Sequence, residues 1–96
     1  MNEELINNAV EVTKQREGLL NNTQDKYIKS IITGIISELK KQNGIKADLS
    51  DDDMFMFVVY FASYRYSNRD SREGIPLHLR DMLRKMYINS KNDVEG

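Results

Sequence analysis

The sequence predicts an all-α fold, a compact bundle of three to four helices forming a single domain over residues 1–96. Three observations predict it. Tyr27, Ile28, Ile31, Ile32, Ile35, Ile36 and Leu39 recur in alternating steps of one and three, which is one broad face of an α-helix. Met54 to Ala62 is apolar at every position apart from the Tyr60 hydroxyl, and it follows an acidic helix start. Leu79, Met82, Leu83, Met86 and Tyr87 fall at i, i+3, i+4, i+7 and i+8, an amphipathic stripe. One proline and five glycines argue against a β-sandwich.

The first helix is predicted over residues 3–16. Leu5, Ile6, Ala9, Val10 and Val12 make a loose apolar face, and Gly18 ends it. Leu19 and Leu20 are expected to anchor the connection. Asn22 with Asp25, or Thr23 alone, starts the second helix by accepting hydrogen bonds from free backbone N–H groups. Gly34 interrupts that helix at a cost of about 1 kcal/mol against Ala, and suggests the close approach of a neighbouring backbone. Lys40 and Lys41 suit the negative end of the helix dipole, and Gly44 suits the left-handed turn beyond it.

Residues 45–49 read as a short connection. The third helix runs from about Asp51 to Tyr66, with Ser50 as N-cap and Asp53 reaching back to it. Residues 67–74 form a polar loop. Pro76 fits the first turn of the fourth helix, where its missing N–H is not needed. Asp81 and Lys85 are an i,i+4 pair in the favourable order. Residues 89–96 read as a frayed, disordered polar tail that orders on docking to a partner.

An apolar surface all round the third helix must be covered. In so short a chain it carries more apolar surface than a lone monomer is expected to hide, which points to a subunit of something larger. A chain of this size buries roughly 60–70 % of its unfolded surface.

Composition narrows the function. Net charge is −1, so neither nucleic acid nor an anionic membrane is favoured on charge. With no cysteine, disulfides, thiolate chemistry and Cys-based zinc sites are excluded. The apolar run is about half of the ~20 residues that span a bilayer. The acidic opening Met-Asn-Glu-Glu does not read as a signal peptide.

No chemistry stands out. His78 lacks partners at a metal-ligand spacing and reads as exposed or packed on a loop. Asp51, Asp52 and Asp53 lack the alternating ligands and glycine of a calcium loop, and read as charge at a helix start. No phosphate-cradling glycine loop and no Ser–His–acid set can be assembled, so the chain reads as a non-enzyme without cofactor or metal. Phe55, Phe57, Tyr60, Phe61, Tyr64 and Tyr66 read as core, with a subunit interface as the second reading. Arg65, Arg69, Arg72, Arg80, Arg84 and Lys85 cluster late in the chain, diluted by Asp70, Glu73 and Asp81. They read as a solvated face or as interface salt bridges.

From Val58 to Tyr87 the pattern resembles a known family. An apolar aromatic helix closes on Tyr64-Arg65-Tyr66 and Ser67-Asn68-Arg69-Asp70, and a polar loop leads through Ile75-Pro76 into a helix with Leu79, Met82 and Leu83. This resembles the small head–tail connector (adaptor) proteins of long-tailed bacteriophages and prophages. The matching residues are Tyr66, Asn68, Arg69, Pro76 and Leu83, and the likeness covers most of residues 20–88. The family's Leu-Arg-hydrophobic opening with an acidic cluster is missing from Glu11 to Thr23.

The resemblance implies a virion structural protein at the head–tail junction, present in the host cytoplasm before assembly. It implies a homo-oligomeric ring on the portal protein that lengthens the DNA channel without sequence-specific binding. The ring would offer a surface to stopper or tail-completion proteins, with no membrane involved. Candidate interface residues are Tyr64, Tyr66, Asn68, Arg69, Arg72, Arg80 and Arg84. The alternative is a small phage or bacterial regulator that binds nucleic acid through the fourth helix, using Arg80, Arg84 and Lys85.

Overall fold

Four helices follow one another along the chain: α1 (Glu3–Glu17), α2 (Asp25–Asn43), α3 (Asp52–Ser67) and α4 (Leu77–Glu95). The computed structural model describes the backbone of residues 3–68 and 76–95, and the side chains within these apart from Asn43 and residues 87–95. Among the described residues there is no strand, and the helices pack on one another as an all-α domain.

The central element is α3. It packs against α1, α2 and α4. Met54, Phe57, Val58, Val59, Phe61 and Ala62 are buried, and Phe55, Met56 and Tyr60 are half-buried. The chain therefore encloses most of its own apolar helix. This corrects the expectation that α3 has more surface than a monomer can cover. The reason lies partly in the connection before it. Ile45, Ala47 and Leu49 are buried while Lys46 and Asp48 are exposed, so this segment alternates like a half-buried strand and adds three side chains to the core.

From α2 the core takes Ile28, Ile32, Ile35 and Leu39, all at 2 % exposure or less. From α1 it takes Ile6, Ala9, Val10 and Thr13, spaced i, i+3, i+4 and i+7. Thr13 tolerates full burial because its hydroxyl donates to the Ala9 carbonyl at 2.8 Å. Lys29 of α2 pairs with Glu3, and Lys14 pairs with Asp25. These two ion pairs join both ends of α1 to the first part of α2.

The helix ends differ from expectation in detail. Gly18 closes α1 at φ +70, with its N–H donating to Gln15 and that of Leu19 to Lys14 at 2.9 Å. This is a Schellman closure, as Gly18 predicts. Leu19 packs on the core, but Leu20 is 100 % exposed and anchors nothing. The polar cluster before α2 does not cap it. Asn21 Oδ1 accepts from the Thr23 N–H and hydroxyl, Asn22 Oδ1 accepts from Lys14, and α2 begins at Gln24 without a side-chain cap. Asn21 accepts from the residue two positions on, and that local turn outcompetes the cap.

The cap of α3 is Asp51 rather than Ser50. Asp51 Oδ1 accepts from the Asp53 N–H at 3.0 Å. Ser50 is held by Asp48, which accepts from its hydroxyl at 2.6 Å and from its N–H at 3.0 Å. Those two bonds, hydroxyl first, hold the Asp48 carboxyl below the usual carboxylate range. Pro76 stands one residue ahead of α4, where its carbonyl accepts from Leu79 and Arg80 at 3.0 Å each. The helix then runs on to Glu95, through the stretch expected to fray. No proline or glycine interrupts the chain between Leu77 and Glu95, so nothing in the backbone stops it sooner. Gly34 is not pressed by a neighbouring backbone: a Cβ built there meets nothing within 4 Å.

Candidate docking surface

Five of the candidate interface residues, Tyr64, Tyr66, Asn68, Arg80 and Arg84, lie among the described residues. Tyr64 is half-buried against the core. Tyr66 is half-buried too, its ring tilted against that of Tyr27 with centroids 6.0 Å apart. Asn68 closes α3 on its own: its N–H and its Nδ2 both donate to the Tyr64 carbonyl, at 3.0 and 2.9 Å. These three positions carry internal packing and capping. Arg69 and Arg72 lie outside the described residues, as does most of the polar loop. Arg80 and Arg84 are exposed on α4, one turn apart.

Other polar residues are spent on holding helices together. Arg65 donates to Glu38 at 2.8 Å and lies over the Phe61 ring at 4.5 Å, joining α3 to α2. Arg16 lies over the Tyr60 ring at 4.6 Å. Glu17, at the end of α1, accepts from the hydroxyls of Ser63 and Ser67 on α3. These contacts give clear internal roles to side chains of the aromatic and basic groups. They point away from a nucleic-acid stacking platform, which needs open ring faces.

Lys14 is buried in the angle between α1 and α2. Its ammonium meets Asp25 at 2.9 Å, Asn22 Oδ1 at 2.7 Å and Glu11 at 3.6 Å. The hydrogen bond to Asp25 raises its pKa above the ordinary 10.5; burial opposes this, and the charges of Asp25 and Glu11 add to it. Beside this pair is a cleft of about 240 Å³ lined by Asn7, Asn8, Val10, Glu11, Asp25, Lys26 and Lys29. Among the described residues no cluster of His, Asp and Glu could hold a metal ion, and His78 is exposed. Asp52 and Asp53 are exposed in the first turn of α3.

The apolar surface left open is on α4. This helix packs chiefly on α3. Among the described residues of its stripe, Leu79 is buried, and Met82, Leu83 and Met86 are half-buried. Between α3 and α4 runs a groove of about 460 Å³ with Met56, Tyr60, Met82 and Met86 along it and Asp53 and Lys85 at its edge. At 100° per residue, Arg80 and Arg84 fall on the face of α4 opposite this groove. Leu77, at the start of α4, is 82 % exposed. The amphipathic stripe is legible in the sequence, but how far it is covered depends on how α4 is placed on α3.

No family model, no curated protein and no solved structure matches this chain. No helix among the described residues is long and apolar enough to cross a membrane.

Proposed function

We propose that this chain is a structural subunit that works by docking, and specifically a head–tail connector of a long-tailed bacteriophage or prophage. The observation that carries a docking role is α4. It stands on α3 with Met82, Leu83 and Met86 only half-buried and two arginines exposed on its far face. A helix that is open on an apolar side and charged on the other is an interaction element before it is a core element. The connector identity adds the pattern of Tyr66, Asn68, Arg69, Pro76 and Leu83. A net charge of −1 also suits a wall past which DNA must slide, since each phosphate contact would add affinity.

In this reading the ring subunits sit on the portal protein, and the basic side of α4 and the loop before it take part in the contact. The test is co-sedimentation with a purified portal protein from the same source. Binding is expected, and charge reversal at Arg80 and Arg84, or at Arg69 and Arg72, should weaken it. No co-sedimentation would overturn the reading.

Exposure of Arg80 and Arg84 on one face also favours the nucleic-acid reading over any enzymatic one. A gel shift separates the two. Duplex binding that falls steeply with salt supports a regulator, and no shift at moderate salt supports the connector.

A further inference from the structure

We propose that the groove between α3 and α4 seats the α4 helix of a second copy of this chain, so that two α3–α4 pairs close around a two-fold axis with their α4 helices antiparallel. This inference stands on the groove alone and does not need the connector reading.

The apolar half of the argument is a matching deficit. The groove offers Met56, Tyr60, Met82 and Met86, all half-buried. The element that would fill it must carry a short apolar edge that its own fold covers only in part. Met82 and Met86, both half-buried, are such an edge. Methionine suits a surface that is water-facing in one state and packed in the other, because its unbranched side chain adapts to the partner it meets.

The charged half sets orientation. Lys85 lies at the groove edge, and Asp81 is its i,i+4 partner at 3.4 Å on the same flank. Both are well exposed. When two identical helices pair antiparallel about a two-fold axis, the same flank of each meets, and flanking charges choose the orientation. With the axis at Leu83, midway between Asp81 and Lys85, each Asp81 faces the Lys85 of the other copy. Met82 and Met86 are centred on Arg84, one residue further on, or about 1.5 Å along the helix. One alignment therefore satisfies both the apolar and the charge register. A parallel two-fold pairing would bring opposite flanks together, so Asp81 and Lys85 of one copy would not meet those of the other. Arg80 and Arg84, on the opposite face, stay in water and bring no like charges to the seam. Such an interface is closed, so assembly through it stops at two copies.

Sedimentation equilibrium of the full chain over a wide concentration range tests this. A two-copy species that grows with concentration is expected. Asp81→Lys and Lys85→Asp each put like charges across the seam and should raise the dissociation constant about tenfold. The double variant D81K/K85D restores opposite charges and should recover most of the loss. Met86→Glu, which places a charge in the groove, should abolish the pair. Circular dichroism on each variant shows that the fold is kept, since both charged side chains are exposed. A wild-type chain that stays monomeric at every concentration overturns the proposal. So does a species larger than two, or a double variant as weak as the singles. A monomer that still sediments with portal would sink this pairing and leave the connector reading standing, and a dimer that ignores portal would do the reverse.

Discussion

The ammonium of Lys14 and the carboxylate of Asp25 lie 2.9 Å apart, tying the last turns of α1 to the first turn of α2. Asp25 Oδ1 is buried, and the Lys14 ammonium is the group that answers its charge. In the folded chain the hydrogen bond to Asp25, and then the charges of Asp25 and Glu11, raise the Lys14 pKa above 10.5. A proton held more tightly by the folded state stabilises it below the unfolded pKa, and this contribution is lost as pH rises through the folded value. The urea midpoint should therefore fall as pH is raised above 10.5. Lys14→Met should flatten that fall, and at neutral pH should lower Tm by several degrees because Asp25 is left uncompensated. Urea titrations of both proteins at neutral and alkaline pH read this directly.

Gly34 sits in mid-helix with open space around the missing Cβ. Gly34→Ala should then raise stability by about 1 kcal/mol, the ordinary helix-propensity difference. Gly44 is the contrast. It closes α2 at φ +65, and its N–H donates to the Leu39 carbonyl. A Cβ there is strained whatever the space, so Gly44→Ala should lower stability by about 1 kcal/mol. Thermal melts of the two variants should move in opposite directions, and a shift of the same sign in both would contradict the structure.

The start of α3 gives a second paired comparison. Asp51 caps the helix, whereas the Ser50 hydroxyl is bonded to Asp48. Asp51→Ala should cost about 1 kcal/mol. Ser50→Ala should cost less, because it removes a bond in an exposed turn and leaves the cap in place. Denaturant midpoints that rank the two the other way would return the cap to Ser50.

The four helices and most core positions were legible from periodicity, because each buried face repeats at the helical spacing. The ends were less so. Several residues near each start are competent caps, and which one wins depends on turns such as those of Asn21 and Asp48 that form locally in three dimensions. The enclosure of α3 was missed for another reason. Ile45, Ala47 and Leu49 alternate too briefly to register as an element, yet they are buried. The candidate interface was read from residue type alone, and type does not reveal that Asn68 would turn inward to its own helix or that Tyr66 would meet Tyr27.

Glu17 links α1 to α3 through two hydroxyls. Ser63 is buried and Ser67 is exposed. Glu17→Ala should lower stability by about 1–3 kcal/mol, because it strands the buried Ser63 hydroxyl. Ser67→Ala should fall within about 0.5 kcal/mol of wild type, as surface changes commonly do. The measurement is a pair of urea curves, and equal losses in the two variants would show that burial does not set the energy of this link.

The order of hydrogen exchange follows from the way α3 is covered. Phe57, Val58, Val59 and Ala62 are fully buried, and all three other helices lie against α3. Freeing an amide there requires the surrounding helices to separate, so exchange proceeds only by global opening. A helix packed chiefly on one neighbour can open while the rest stays folded, and α4 is that helix. Residues 57–62 should therefore exchange slowest, with a free energy equal to that of complete unfolding, and α4 should exchange well before them. Lys14→Met should shift the α3 amides by the full loss of stability it causes, because α1 must leave before α3 is exposed. If α3 amides instead exchanged as early as those of α4, its own chain would not be what shields them.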